Sequence, residues 1–278
     1  MQLNPRYGDE PVVVVELRVG GEHPLVAQRR RMVEVLGALD DADWCRPSRC
    51  AGWSVHDVVG HLVTTNDFWD LSIQAGLAGA PTRFLSTFDP VASPAALADQ
   101  HRGTSVRDTR SRFADGSTAL AETIEGLDDT GWEALAEAPP GHVPVRLVAD
   151  HALWDAWVHE RDILLPLGQE PVVDDDEVLT CLRYGAALGQ AFMLCAGSTT
   201  TGAMGVRARD PSDELVVTVD GRSVRVTEAA AGPAPVGWLE GSAVDLVEML
   251  SARDVDAVRP ATLEWFASGL ATVFDQET

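Results

Sequence analysis

The chain has 278 residues, 45% of them hydrophobic, which is enough for one large domain or two ordinary ones; two are expected. Its 21 basic and 43 acidic residues leave a net charge of −22, a field that repels nucleic acid and anionic membrane surfaces and points to a small-molecule partner. Every Lys/Arg position is arginine, which excludes lysine Schiff-base chemistry, pyridoxal phosphate attachment and a lysine-bearing phosphate loop.

No uninterrupted run of 18 apolar residues occurs, and the opening "MQLNPRYGDE" lacks the basic-then-apolar layout of a secretory signal. A cytoplasmic protein without membrane contact is therefore expected. The four cysteines, Cys45, Cys50, Cys181 and Cys195, do not suggest a disulfide framework in so long a chain without secretory features. The spacing of Cys45 and Cys50 invites a redox or metal role, against the plainer expectation of buried small hydrophobes.

In chain order, "PVVVVEL" at positions 11–17 could be an added strand. "HPLVAQRRRMVEVLGAL" has apolar residues at the three-to-four spacing of an amphipathic helix. "CAGWSVHDVVGHLVTTNDFWDLSIQAGLAG" predicts a second helix, with Ser54 and Asp57 in a capping arrangement at its start. "SPAALADQHRGTSVRDTRSRFADGSTALAETIEGL" predicts one long third helix and "VPVRLVADHALWDAWVHERDILLPLG" a fourth, which together fit a four-helix bundle over residues 1–170. A fifth helix is expected in "PVVDDDEVLTCLRYGAALGQAFMLCAG", its acidic first turn suited to the helix dipole. After "GSTTTGAMG" the period changes to two. "VRARD" and "ELVVTVDGRSVRVTEA" predict strands with a hairpin turn at Asp220-Gly221. "APVGWLEGSAVDLVEMLSARD" predicts a short strand and a helix opening near Ser242, and "ATLEWFASGLATVFDQ" a closing helix. The expected fold class is α+β, a helical bundle followed by a smaller α/β domain over 171–278.

The fourth helix holds the most chemistry. His151, Asp155 and His159 step by about 400° each, so they lie within about 80° of one another on one face. Each step also climbs about 6 Å, leaving the two histidines about 12 Å apart, while zinc bonds run near 2 Å. One metal can therefore use two neighbours of the three and needs a ligand from another helix. His56, His61, His101 and His142 are the candidates, and His61 stands mid-helix in "VVGHLV". A hydrogen-bonded core histidine at position 61 and a plain solvated pair at Asp155 and His159 remain the structural alternatives, though Trp154 and Trp157 border the stripe.

"CAGWSVHDVVGHL" together with "DAWVHERDI" resembles the mycothiol-dependent maleylpyruvate isomerase family, within the wider DinB-like metalloenzyme fold. The stretch C-x-G-W-[ST]-V-x-D-x-x-x-H-L is matched at Cys50, Gly52, Trp53, Ser54, Val55, Asp57, His61 and Leu62, and [ED]-x-x-V-H-x-x-D at Asp155, Val158, His159 and Asp162. The resemblance implies a DinB-like bundle holding one divalent metal, usually zinc, on His61, Asp155 and His159, with aspartate where the family also uses glutamate. "GWLEGSAVDLVEMLSARD" is similar to the family's sterol-carrier-like C-terminal domain and implies that Arg253, at the end of its helix, helps bind thiol or substrate. Three protein ligands leave zinc an open position, the pattern of a catalytic site. Asp162, one turn past His159, either orients a ligand imidazole or meets solvent. The implied activity is that of a metal-dependent enzyme with mycothiol as co-substrate, acting on a small electrophile by S-transfer or thiol exchange, with cis/trans isomerisation as an alternative. A zinc hydrolase or a non-enzymatic binding protein on the same fold are the rivals. Arginine in place of lysine also suits the GC-rich genomes of mycothiol-producing actinobacteria.

Overall fold

The computed structural model describes residues 3–17, 21–253 and 261–274. In chain order it contains β1 (Val13–Val15), α1 (Leu25–Ala38), α2 (Asp41–Trp44), α3 (Val55–Leu77), α4 (Ala92–His101), α5 (Val106–Glu125), α6 (Asp129–Glu133), β2 (Leu135–Ala138), β3 (Gly141–Pro144) and α7 (Val145–Leu164). There follow α8 (Asp175–Cys195), β4 (Thr201–Arg209), β5 (Asp213–Asp220), β6 (Val224–Glu228), β7 (Trp238–Ser242), α9 (Ala243–Leu250), α10 (Glu264–Ala267) and α11 (Gly269–Phe274). The molecule is of mixed helical and sheet class, helical first and sheet-containing afterwards.

Helices α1, α3, α5 and α7 form the expected bundle, with α1 and α3 each packed against both α5 and α7. Its apolar interior is divided. Leu25, Trp69, Leu120 and Leu153 belong to one buried cluster, Met32, Val59, Phe113 and Ala156 to another. Between them, on α1, α3 and α5, lie buried Arg29, Asn66 and Ser117, joined by bonds of 3.1 Å from Arg29 Nε to Asn66 Oδ1 and from Asn66 Nδ2 to Ser117 Oγ. A buried polar layer of this kind is tolerated because each member has a partner. Arg29 also donates to Gln28 Oε1 and to the Ala152 carbonyl; burial lowers its pKa to about 10, so it stays charged.

Helix α3 starts as expected: the Ser54 side chain accepts from the Asp57 amide, and the Asp57 carboxylate takes the Ser54 amide at 2.8 Å. The single third helix is corrected. It is two helices, α4 and α5, and Ser105 caps the second by accepting from the Asp108 amide. The closing helix is likewise divided at Ser268 into α10 and α11, and positions 275–276 of that stretch lie outside the described residues.

The five-stranded sheet has the order β1-β6-β5-β4-β7, with β4, β5 and β6 antiparallel and β1 and β7 parallel to their neighbours. The Asp220 carboxylate accepts the amides of Arg222 and Ser223, and Gly221 has φ +83°, which makes the turn before β6. Strand β4 begins at Thr201, ahead of Val206, where the two-residue period is expected to start. Strand β1 pairs Val13 with Val224 and Val15 with Val226, so the start of the chain supplies the edge of the late sheet. The arm before it crosses the β2–β3 hairpin, where Arg6 N donates to the Pro140 carbonyl and His142 N to Arg6 O. Gly141 (φ +125°) permits this approach, since a Cβ there would meet the Arg6 oxygen at 1.9 Å.

Helix α8 packs against α7, α9 and α11 and against strands β1, β5 and β6. It is long and apolar enough to cross a membrane by length and composition, and 78% of its apolar window is buried inside the molecule, as in a core helix. Arg31 fastens it to the bundle through both oxygens of Glu160 and of Glu177.

Candidate metal centre

Helices α3 and α7 bring His61, Asp155 and His159 together. Asp155 Oδ1 lies 3.5 Å from His61 Nε2 and 3.6 Å from His159 Nε2, and one donor atom from each of the three falls within 4.8 Å of the others. These separations are long for a charge-assisted hydrogen bond, which runs about 2.7–2.9 Å. They are close to the edge of a tetrahedron of ligands about 2.0–2.1 Å from a zinc ion, roughly 3.4 Å. Two imidazoles and a carboxylate are borderline donors of the kind zinc takes, so the residues fit the group that the sequence implies. Thr65 Oγ1 donates to the other Asp155 oxygen at 3.4 Å, and the rings of His61 and His159 meet edge to face at 5.0 Å. His61 Nδ1 is buried and finds no partner among the described residues, so the ring is oriented by packing against His159 and Trp53.

His159 has a second face. Its Nδ1 lies 3.0 Å from Asp162 Oδ2, a bond that sends Nε2 toward Asp155. Asp162 is fully buried and collects five donors. Oδ1 takes Arg49 Nε at 2.9 Å and Arg253 Nε at 3.0 Å; Oδ2 takes His159, Arg253 Nη2 at 2.5 Å and the Cys50 thiol at 3.2 Å. Arg49 gives its remaining nitrogens to both Glu248 oxygens, at 2.8 and 2.9 Å. Loop 48–54 thus joins α7 to the end of α9 at the site's edge. The loop is held by Ser48 N to Trp53 O and Arg49 N to Asp162 O.

The electrostatics follow from this packing. Burial opposes ionisation of Asp155, yet His61 and His159 outweigh it and hold the carboxyl well below its usual range. Burial also opposes charge on His159, but Cys50, the bond to Asp162 and the Asp155 carboxylate raise it to about 10. Asp162 is held far below the carboxylate range by His159 and Arg253 against its own desolvation.

His151, on the same face of α7, does not join the site. It is boxed by Trp69, Trp154 and Tyr184, bonds the Tyr184 hydroxyl through Nδ1 at 2.7 Å, and is lowered by burial to about 4. His56 and His101 bond Thr109 and Thr64, and His142 the Thr82 carbonyl. Arg253 reaches the site from the end of α9, with its Nε and Nη2 engaged by Asp162. Cys50 is half-buried and Cys45 exposed, against the plainer expectation for both; Cys181 and Cys195 are buried, and all four are free. Arg49 and Glu248 had no sequence signal, whereas Cys50 stood within the family motif.

No curated protein matches the chain by sequence. Two solved structures match it by shape over 86% of this chain and 92% of theirs, with TM-score 0.59: the mycothiol-dependent maleylpyruvate isomerase at 16% identity and a histidine-to-alanine mutant of the same enzyme at 14%. At such identity the likeness shows a shared fold. A family model described as the mycothiol maleylpyruvate isomerase N-terminal domain matches residues 25–164, half of the chain, and takes in His61, Asp155 and His159. The chain belongs to the mycothiol maleylpyruvate isomerase N-terminal domain family.

Proposed function

We propose that the protein is a metal-dependent enzyme that uses a low-molecular-weight thiol, mycothiol, on a small electrophilic substrate, with zinc held by His61, Asp155 and His159. The observation that carries this is the convergence of two imidazole nitrogens on one carboxylate oxygen at 3.5 and 3.6 Å, too long for strong hydrogen bonds and suited to a shared ion. Zinc there would hold a thiol as thiolate at neutral pH, where a free thiol is only a few per cent ionised.

The chain's own groups prepare that chemistry. Asp162 keeps a proton on His159 Nδ1 and frees Nε2 to ligate. Thr65 Oγ1 stands 3.4 Å from the second oxygen of Asp155 and 3.3 Å from the Leu62 carbonyl. His151, lowered by burial to about 4 and enclosed by aromatic rings, bonds the Tyr184 hydroxyl and is not among the ligand cluster. Asp155 and Asp162 are held anionic, and Arg49 and Arg253 offset the charge of Asp162.

S-transfer or thiol exchange stands first, because isomerisation is one specialised use within a broad family. Cis/trans isomerisation is the second reading, favoured by the named activity of the two structures of like shape. The two differ in whether the carbon–sulfur bond is kept or broken again. Incubating the metal-loaded protein with mycothiol and an electrophile panel that includes maleylpyruvate separates them: a thioether product supports transfer, an isomer with thiol returned supports isomerisation. Turnover that persists without any thiol would instead make the protein a hydrolase.

A further inference from the structure

His159 is common to two clusters of metal-ligand chemistry, one on each ring nitrogen. On Nε2 stand His61 and Asp155. On Nδ1 stand Cys50 and Asp162, with separations of 3.7 Å from Nδ1 to Cys50 Sγ, 3.2 Å from Sγ to Asp162 Oδ2 and 3.0 Å from Nδ1 to the same oxygen. Thiol, imidazole and carboxylate are a zinc donor set in their own right, and the edges of such a tetrahedron run roughly 3.4–3.6 Å. By donor softness alone this second cluster is the better zinc site, since it offers sulfur.

What distinguishes the clusters is their surroundings. Among the described residues Asp155 makes no direct ion pair or hydrogen bond with an arginine, and buried Arg29 acts on it only through its field; its contacts are His61, His159 and Thr65. Asp162 is gripped by two guanidinium groups, and Arg253 Nη2 also stands 4.0 Å from Cys50 Sγ. A divalent ion on that side would have to strip Asp162 of both arginines and then sit beside their fixed charges. We propose that Arg49 and Arg253 decide which nitrogen of His159 receives the metal, holding shut a second, latent site made of Cys50 Sγ, His159 Nδ1 and Asp162. Arg253 comes from the sheet-containing half of the chain, so the seating of that half keeps the ion on the bundle side. The inference rests on the metal reading of His61, Asp155 and His159.

Cobalt(II) is the probe, because coordination by a thiolate adds a sulfur-to-metal charge-transfer band in the near ultraviolet that nitrogen and oxygen ligands do not give. The metal-free protein, in a Cys45→Ser background that removes the exposed thiol, is titrated with Co2+ while alkylation of Cys50 by iodoacetamide is followed. The parent is expected to bind one equivalent with no sulfur band, and alkylation of Cys50 to change by less than about two-fold. Arg253→Met, and more fully Arg49→Met with Arg253→Met, should develop the band, and Co2+ should slow alkylation of Cys50 by about ten-fold or more, since an ion shared with His159 and Asp162 covers the half-buried sulfur against the reagent. Arg253→Lys, which keeps the charge, should stay without the band, and Cys50→Ser in the double variant should abolish it. A sulfur band in the parent overturns the proposal, as does its absence from the folded double variant. If far-UV circular dichroism shows the double variant unfolded, Arg253→Met decides alone, because Arg49 still pairs with Asp162 there. A parent that binds no Co2+ would overturn the metal reading itself, an outcome distinct from binding without any change of ligand in the variants.

Discussion

His151 and His159 stand two turns apart on one face of α7, are both largely buried, and have opposite chemistry. His151 meets three aromatic rings and a hydroxyl, and burial lowers it to about 4. His159 meets two carboxylates and a thiol, which overcome the same burial and raise it to about 10. Helical spacing made the two equivalent candidates. What separates them is the chemistry of the side chains each one meets: His151 lies against Trp69 of α3 and Tyr184 of α8, whereas His159 faces His61 of α3 and the loop that carries Cys50.

The contrast is broken most severely by removing ligands. His61→Ala and His159→Ala are each expected to reduce bound metal to well below one per chain, and Asp155→Ala to lose most of it, while Asp155→Glu and His151→Phe retain it; elemental analysis of the purified variants checks this. Full occupancy in the His159 variant would end the distinction between the two histidines.

Next in size is the residue that orients His159. Asp162→Asn should weaken zinc binding by about 10- to 100-fold in a chelator competition, the usual range for loss of a carboxylate behind a ligating imidazole. Unchanged affinity would make Asp162 a structural anchor only.

The pH dependence of metal binding comes third. With His159 raised to about 10, the metal-free site carries a proton at pH 7 that the ion must displace. Zinc affinity should therefore rise with pH between 7 and 10, and calorimetry in buffers of different ionisation enthalpy should register proton release.

The smallest effect belongs to His151. Its folded pKa lies below the ordinary value of about 6.5, so in acid the unfolded chain binds the extra proton. The contribution to stability is complete above about pH 6.5 and is lost as the pH falls toward 4, amounting at most to a few kcal/mol on the order given by such a shift. His151→Phe should flatten that part of the stability curve, measured by denaturant unfolding; an identical slope in parent and variant would mean that other groups set it.

The legible part of the site was the part that repeats within one helix or one motif. Asp155 and His159 are related by helical geometry, and His61 and Cys50 by the motif that opens α3. Arg253 was marked by its place at the end of the C-terminal motif, although not as a partner of Asp162, whereas Arg49, 113 positions from Asp162, could not be read because nothing local marks it. Cys50 was visible yet set aside, since a cysteine's burial is decided by tertiary packing. In the fold, the break between α4 and α5 did have a local signal. Ser105 with Asp108 repeats the pattern of Ser54 with Asp57, but the apolar spacing on either side masked it. The β2–β3 hairpin gave no signal, because strands of four residues rich in alanine, glutamate and glycine look like a loop.

The arm at the start of the chain bears on the order in which the molecule assembles. Val13–Val15 are made about 210 residues before their partners Val224–Val226. Strand β1 must therefore wait for all the intervening chain before it can pair, and until it does β6 has an open edge able to take a strand from another chain. An excess of aggregation in chains shortened past Val15, with bundle helicity intact, is the expected sign that this late closure, more than the bundle, sets the yield of folded protein.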